Sequence, residues 1–430
     1  MPRFVATFRT HTVHLYSSVS TKFEGLNRNR DKEGEMSVIY RFQHPERVVF
    51  GREVAQQVGR FVKDLGGEKV FLVTGKVVSS LDTFGDIEKS LKEERIDYYV
   101  YAEADTNPTD VQVEKGAHLY QNEKADILVA VGGGSPIDSA KAIGVLVNNA
   151  PGSVRDYATA DLNIDPITNP IPPFVAIPTT SGSGSEVSTA AVITNVADNY
   201  KMDIGGLGTK LLAKVALVDP VMTATMPPLL TAATGMDALS HAIEAYCSPY
   251  AMPQTDALAL AAIRLIVKHI GPAVANGSNM EAREGMAMGS LEAGVSMNAW
   301  CGAVHALGHQ LTTQYGMPHG TAMAIMLPVV MKFNMIACME RLGDIAVAMG
   351  EQVEGLSKIE AAEKTPYAVH RLTKSIGLPT TLSEYSADPE LIPNCVRWAA
   401  KDDSIEGNPR TLTLEQIEEL YQKAFKGSPD

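Results

Sequence analysis

Short runs of apolar, β-branched and aromatic residues recur through the first half of the chain. They are Lys69–Thr74 (KVFLVT), Tyr98–Tyr101 (YYVY), Ile127–Val131 (ILVAV) and Phe174–Ile177 (FVAI). Continuous runs this short suit strands buried on both faces. Helical patterns separate them over Gly85–Glu93, Thr109–Tyr120 and Pro136–Val147. Such alternation predicts a parallel sheet with covering helices from Arg47 to about Pro220. Past Val218-Asp219-Pro220 the texture changes. Ala257–Ile270, Glu281–Met297 and Ala322–Phe333 are long, rich in Ala and Met, and helical in spacing, with breaks at Gly377-Leu378-Pro379 and Gly407-Asn408-Pro409. The expected architecture is α/β plus all-α: an extension over residues 1–35, an α/β domain over 36–220 and a helical domain over 221–430. Methionines in the helical half are expected as core filling.

Composition narrows the partners. The chain has 430 residues, 45% of them apolar, and a net charge of −13. That charge argues against nucleic acid or an anionic membrane surface as partner, since both call for a basic face. No uninterrupted apolar run approaches membrane-span length, so no membrane is expected. Cys247, Cys301, Cys338 and Cys395 are widely spaced without a C-x-x-C pair. Buried free thiols in a reducing compartment fit better than a disulfide framework.

The first 35 residues carry Arg3, Arg9 and Lys22 and no acid before Glu24. That is the composition of an organelle transit peptide, which would direct the protein to the mitochondrial matrix. The preferred reading is different. Lys32-Glu33-Gly34 can be encoded as a ribosome-binding sequence, so the segment is read as upstream DNA translated from a wrong start. The protein proper would then begin at Met36 and remain cytoplasmic.

Candidate chemistry concentrates in two places. Gly302–Gly320 (GAVHALGHQLTTQYGMPHG) holds three of the ten histidines. His305 and His309 are four apart, on one helical face, and His319 follows a break assigned to Pro318. Asp237 and His241 in GMDALSHAIEAY are again four apart. Asp237, His241, His305 and His319 are therefore the candidate ligands of one divalent metal. Imidazole with carboxylate suits Fe²⁺, Zn²⁺, Mn²⁺ or Ni²⁺. His118, His269 and His370 lack comparable neighbours and are read as surface or core residues.

The second place is Gly132–Asp138 (GGGSPID), which follows the strand Ile127–Val131 and opens a helix. Ser135 is expected as N-cap, Pro136 as first helical residue and Asp138 as a first-turn dipole or capping residue. Exposed N–H groups there would face phosphates. The polar loop Pro178–Glu186 (PTTSGSGSE) leaves the strand Phe174–Ile177 in the same way, and ligands of open α/β sheets sit at the carboxyl ends of the strands.

GGGSPIDSAK, IPTTSGSGSEVS, VALVDP, GMDALSHAIEAY, NAWCGAVHALGHQL, YGMPHG and NPRTLT occur in that order, and with them the chain resembles the iron-containing (group III) alcohol dehydrogenases from Met36 onward. The resemblance implies a Rossmann-like N-terminal domain and a helical C-terminal domain of dehydroquinate synthase-like architecture. It implies iron, with zinc, manganese or nickel as alternatives, on Asp237, His241, His305 and His319. NAD or NADP would contact Gly133, Gly134 and Ser135 through its pyrophosphate and Thr179, Thr180, Ser188 and Lys201 elsewhere. His309 would lie beside the nicotinamide, packing on it or relaying a proton. A homodimer or larger homo-oligomer is expected.

The implied reaction is hydride transfer between a small primary alcohol and its aldehyde. A divalent cation makes a hydroxyl easier to ionise, as it lowers bound water from about 15.7 to about 7. A hydroxyacid or maleylacetate-type reductase of the same family, or a dehydroquinate synthase-like lyase, are the alternatives. One departure stands out: Val73-Thr74-Gly75-Lys76 has Gly75 where many members carry an acid. An acid there would hold the adenosine ribose and repel a 2′-phosphate, so NADPH is expected to be accepted. Gly205–Thr209, ahead of VALVDP, stands where a Ser-Pro turn is expected, without a stated consequence.

Overall fold

The computed structural model describes residues 28–30, 36–38, 40–104, 106–158, 166–205 and 208–427. It divides into two compact units, residues 1–42 and 43–430. In the first, β1 (Arg28–Arg30) pairs antiparallel with β2 (Met36–Val38). The expectations for the rest of residues 1–35, and for Gly206 and Leu207 of the turn before VALVDP, lie outside the described residues.

The second unit begins with α/β alternation: β3 (Arg47–Phe50), α1 (Val58–Asp64), β4 (Lys69–Thr74), α2 (Asp82–Glu93), β5 (Asp97–Tyr101), α3 (Asp110–Glu123), β6 (Ile127–Gly132), α4 (Gly134–Asn149) and β7 (Phe174–Pro178). A two-stranded antiparallel hairpin of β8 (Ala190–Asn195) and β9 (Tyr200–Gly205) comes next, then β10 (Val215–Val218). The sheet order is β3-β10-β7-β6-β4-β5, and every neighbouring pair is parallel. Val70, Leu72, Val129, Val131 and Val175 join a core with residues of α1 and α2. Phe71, Val73, Leu128, Ala130 and Phe174 join the opposite one with residues of α3 and α4. Period-two alternation between two buried faces explains why the strands read as continuous apolar runs. Burying each such side chain is worth about 2 kcal/mol.

This order reverses at β4 and β6: β5 lies outside β4, whereas the chain after β6 runs the other way to β7 and β10. The crevice beyond the carboxyl ends of β4 and β6 is thus a topological switch point. Thr74-Gly75 and Gly132–Gly134 flank it.

The helical half comprises α5 (Pro228–Cys247), α6 (Pro253–Ala275), α7 (Met280–Ser296), α8 (Ala303–Tyr315), α9 (His319–Ala348), α10 (Lys358–Ser375), α11 (Ile392–Ala399) and α12 (Leu414–Lys426). One large core joins these helices and includes Met236, Met286, Met323 and Met326. Two of them, α6 and α9, are long and apolar enough to cross a membrane by length and composition. This corrects the expectation from uninterrupted runs, because scattered polar residues hide the mean hydropathy of a long helix. In α9 the relevant window is 72% buried, as the centre of a helical core requires.

Two local expectations are also corrected. Helix α4 begins at Gly134, with Gly133 as an N-cap that offers no side-chain bond; neither Ser135 nor Pro136 has its predicted place. A Cβ on Gly134 would stand 2.9 Å from Ser183 Cβ, so the first turn packs directly against the loop after β7. Asp138 does not cap the helix. It accepts the Val192 N–H at 3.0 Å, tying α4 to β8. Likewise α8 is ended by left-handed Gly316, whereas Pro318 is the N-cap of α9, whose first residue is His319.

Candidate metal and coenzyme site

On α5, Asp237, His241 and Glu244 fall at i, i+4 and i+7, one stripe of the helix. On α8, His305 and His309 stand one turn apart. His319 opens α9, and a Cβ on Gly320 would lie 1.9 Å from the Ala233 carbonyl oxygen. The missing side chain lets the start of α9 press onto α5 beside Asp237.

Three imidazoles converge on one carboxylate oxygen. Asp237 Oδ1 lies 3.2 Å from His319 Nε2, 3.6 Å from His305 Nε2 and 4.0 Å from His241 Nε2. Asp237 Oδ1 and His305 Nε2 are buried without a hydrogen-bond partner. Buried polar atoms are rarely left so; a divalent cation among these atoms would satisfy them all. The side chains of Asp237, His241 and His305 are 3–6% exposed, whereas His319 is 27% exposed, so the cluster opens on the His319 side.

The charge balance matches a cation site. Burial pushes Asp237 up, but the charges of His319 and His241 and the close approach of the His305 and His319 rings hold its carboxyl well below the usual range. Burial lowers His241 to about 4 and His319 to about 3, Asp237 opposing in both. Burial would lower His305 too, yet Glu244 and Asp237 on its two nitrogens raise it to about 10. Cys301 Sγ also lies within 4.8 Å of ligand atoms of His241 and His305. Burial and the nearby Glu244 charge raise that thiol well above its normal value, which disfavours the thiolate a metal requires.

Glu244 escaped the sequence reading. Its Oε2 accepts from His305 Nδ1, and its Oε1 accepts the Val304 N–H at 2.6 Å. Fixing Nδ1 leaves Nε2 as the coordinating nitrogen, a common outer-sphere arrangement. The i+7 spacing from Asp237 was the available signal. Asp402 does the same for His309, whose Nδ1 lies 2.8 Å from Asp402 Oδ2. Gln310 Nε2 donates to the same oxygen at 3.3 Å. The His309 ring stands 5.3 Å from that of His319, so it borders the cluster without joining the convergence on Asp237.

The coenzyme face is built differently. Gly133, Gly134 and Ser135 are the half-exposed lip of a helix that is otherwise buried over its first turns. Because no side chain caps it, its first N–H groups are available to an anion. Thr179 N–H donates to Gly132 O at 2.9 Å, joining the two loops; Thr180 lies against Gly133. The hydroxyls of Thr74, at the end of β4, and Ser181 are buried without partners. Lys141 Nζ donates to Ser188 O, Ser188 Oγ and Ala190 O at 2.8–3.0 Å, fixing the Ser188 hydroxyl. Gly75 follows β4 and is buried, with exposed Lys76 next. A pyrophosphate-linked coenzyme fits this uncapped, hydroxyl-lined crevice.

The two faces touch. A Cβ on Gly182 would stand 2.8 Å from Thr234 of α5, one turn before the metal ligands. The β8–β9 hairpin crosses from the sheet to the helices: Asn199 bonds to Thr313 and Gln314, and Tyr200 stacks on Trp398 at 4.6 Å. Lys201 on β9 is lowered by burial, with the charges of Asp237 and Asp203 opposing. Asp203, Asp402 and Asp403 form a further acidic group there that sequence reading did not find.

Residues 45–220 match the family described as iron-containing alcohol dehydrogenase, and residues 231–425 match the Fe-containing alcohol dehydrogenase family, C-terminal. The chain is 42% identical over 380 residues to 1,3-propanediol dehydrogenase of Citrobacter freundii, covering 87% of this chain and 96% of that protein. It is 37% identical over 377 residues to lactaldehyde reductase of Escherichia coli strain K12, covering 87% and 97%. A crystal structure of a 1,3-propanediol oxidoreductase superposes with a TM-score of 0.86 at 40% identity, covering 90% of this chain and all of that one.

Proposed function

Since the chain belongs to the iron-containing alcohol dehydrogenase family, we propose that it is a metal-dependent NAD(P) oxidoreductase for small primary alcohols, short diols among them. The observation that carries this reading is the convergence of His241, His305 and His319 on Asp237 Oδ1, directly beneath the loop that lines the coenzyme crevice. Asp237, His241, His305 and His319 would hold Fe²⁺, with Zn²⁺, Mn²⁺ or Ni²⁺ as alternatives. When bound, the ion supplies Lewis-acid polarisation of the substrate oxygen.

The chain's own residues do the rest. Glu244 keeps His305 Nε2 turned to the cluster, and Asp402 holds His309 beside it. Gly133, Gly134 and Ser135 receive the pyrophosphate, and Thr179, Thr180, Ser188 and Lys201 position the remainder, so that the nicotinamide C4 meets the substrate carbon. Gly75 and Lys76 support acceptance of NADPH: no carboxylate stands after β4 to repel a 2′-phosphate. Similarity to a 1,3-propanediol dehydrogenase and a lactaldehyde reductase favours a substrate with two oxygen functions.

We place the protein in the cytoplasm, in keeping with its four free cysteines, as a homodimer or larger assembly. The mitochondrial matrix is the alternative if residues 1–35 prove to be a transit peptide. The test is activity after metal reconstitution across short alcohols, diols and aldehydes with both coenzymes. Activity that depends on metal, with kcat/KM values for NADH and NADPH within about tenfold, is expected. A preference for NADH of roughly hundredfold would remove the role given to Gly75 and Lys76.

A further inference from the structure

The loop after β7 meets both halves of the cleft through its backbone. On its sheet side Thr180 lies against Gly133, and Ser183 against Gly134. On its helix side the approach is closer. A Cβ on Gly182 would stand 2.8 Å from the carbonyl oxygen of Thr234, three residues before Asp237 on α5. Gly184, at φ +63°, and Gly294 of α7 press backbone to backbone. A Cβ on Gly184 would stand 2.5 Å from Gly294 Cα, and one on Gly294 would stand 2.8 Å from both Gly184 Cα and Val187 Cγ2. The Val187 N–H closes the turn on Gly184 O at 3.0 Å. Its side chain joins a small core with Ala287 and Leu291 of α7. Ala287, Leu291 and Gly294 fall at i, i+4 and i+7, one face of that helix.

We infer that the Gly184–Gly294 contact is a spacer between the coenzyme and the metal cluster, and that Gly294 is a positioning residue for hydride transfer. The inference rests on the site assignment proposed above. The loop presents Thr179 and Thr180 to the coenzyme, while Gly182 and Gly184 rest on the two segments that lead to the ligands. One is α5, with Asp237 and His241. The other is the end of α7, which runs through the short helix Met297–Ala299 into α8 with His305. Little freedom is left within the loop. Thr179 is tied to Gly132, Lys141 Nζ holds Ser188 just beyond it, and Ser181 is 2% exposed. A shift of α7 is therefore passed on to the coenzyme instead of being absorbed. Groups that react must stand about 3–3.5 Å apart, so a spacing error of about 1 Å reaches the chemistry.

The contact itself sets the size of the disturbance. Carbon atoms pack at about 3.5–4 Å. A methyl group on Gly294, 2.8 Å from Gly184 Cα, must part loop and helix by about 1 Å. The obstacle is backbone, which no change of rotamer relieves. Misplacing the reacting groups on that scale costs roughly 10²-fold in rate. Gly289 of α7 supplies a control. Its Cβ would meet Ile266 Cγ1 of α6 at 2.9 Å, a similar crowding that lies between helices and not against the loop.

The experiment compares wild type, Gly294→Ala and Gly289→Ala as full chains loaded anaerobically with Fe²⁺. Each is mixed with NAD and 1,3-propanediol, plain or deuterated at the carbinol carbons; hydride passes to NAD and a proton to solvent. Single-turnover kinetics separate hydride transfer from product release. In Gly294→Ala the transfer rate should fall about 10²-fold with a full deuterium effect, while iron content and the NAD Kd stay within about threefold of wild type. Gly289→Ala should lose thermal stability to a similar extent and keep the wild-type rate. A wild-type rate in Gly294→Ala, an equal loss in Gly289→Ala, or a loss accounted for by iron or NAD binding would overturn the inference. Should Gly294→Ala not fold, Val187→Ala loosens the same contact by removing volume. It is expected to slow transfer about tenfold with iron and NAD retained, and an unchanged rate there counts equally against the spacer. A wild type that binds iron and NAD yet transfers no hydride from any short alcohol would refute the functional reading beneath it.

Discussion

The two faces of the cleft are made by opposite means. On the sheet side, side chains are left out: Gly133 and Gly134 bring backbone N–H groups to the surface, and the partners are hydroxyls. On the helix side, charge is packed in: one carboxylate oxygen and three imidazoles within 3.2–4.0 Å, nearly dry, with atoms unpaired. The first surface works through close backbone approach, the second through packed charge. Recognising an elongated coenzyme needs shape, and holding a small cation needs charge.

Removing charge should break the helix side most. Asp237→Ala removes the only carboxylate in the convergence. Metal content by mass spectrometry is expected to fall to background and kcat/KM by at least roughly 10³-fold, the cost of losing a group that acts on developing charge. Retained metal would show that the ligand set is drawn wrongly.

Beneath the sheet side lies a buried charge cluster that sharpens the contrast through pH. Burial, with some help from Asp138 and against Lys141 and a backbone hydrogen bond, raises Glu186 to about 7 from 4.5. The folded protein thus binds more protons than the unfolded chain between those values. Stability from this group is complete below pH 4.5 and is lost as pH rises to about 7, a total of about 3 kcal/mol. Glu186→Gln should remove that slope, so the difference in unfolding free energy between variant and wild type should change by about 3 kcal/mol across the interval in denaturant titrations. A constant difference would mean that Glu186 is ionised in the fold.

Adding volume on the sheet side should have the smallest effect. In Gly134→Ala the new Cβ meets Ser183 Cβ at 2.9 Å. The coenzyme KM is expected to rise about tenfold, or roughly 1.4 kcal/mol, with metal content unchanged. Equal loss of metal would merge the two faces into one site.

Much of this was legible in the chain because each signal was local. Lys69–Thr74 is a strand over the predicted residues, and the four-residue spacing of Asp237 and His241 puts that pair on one helix face, where His305 and His319 meet it. The glycine run was found, but its helix starts two residues early: contact with Ser183, from a distant loop, outweighs Ser135's capping preference. Asp402 was beyond reach, since nothing local ties a residue 93 positions away to His309. The β8–β9 hairpin could have been read. Val192, Ile193 and Thr194 are β-branched, and Met202 and Ile204 alternate with Lys201 and Asp203, across a Val-Ala-Asp-Asn turn.

Helix α8 also carries a consequence for synthesis. Asn408 accepts the Ala303 N–H at its start, Tyr421 donates to the Leu307 carbonyl at 2.8 Å, and Asp402 grips His309. All three anchors are made after the last metal ligand, His319. A nascent chain extended to α10 already holds all four ligands but lacks the residues that pin α8, the helix of His305, in place. Since domains assemble as the chain emerges, firm ion capture must wait for the final segment. Firm metal loading is thus expected late in synthesis, once these C-terminal anchors have formed.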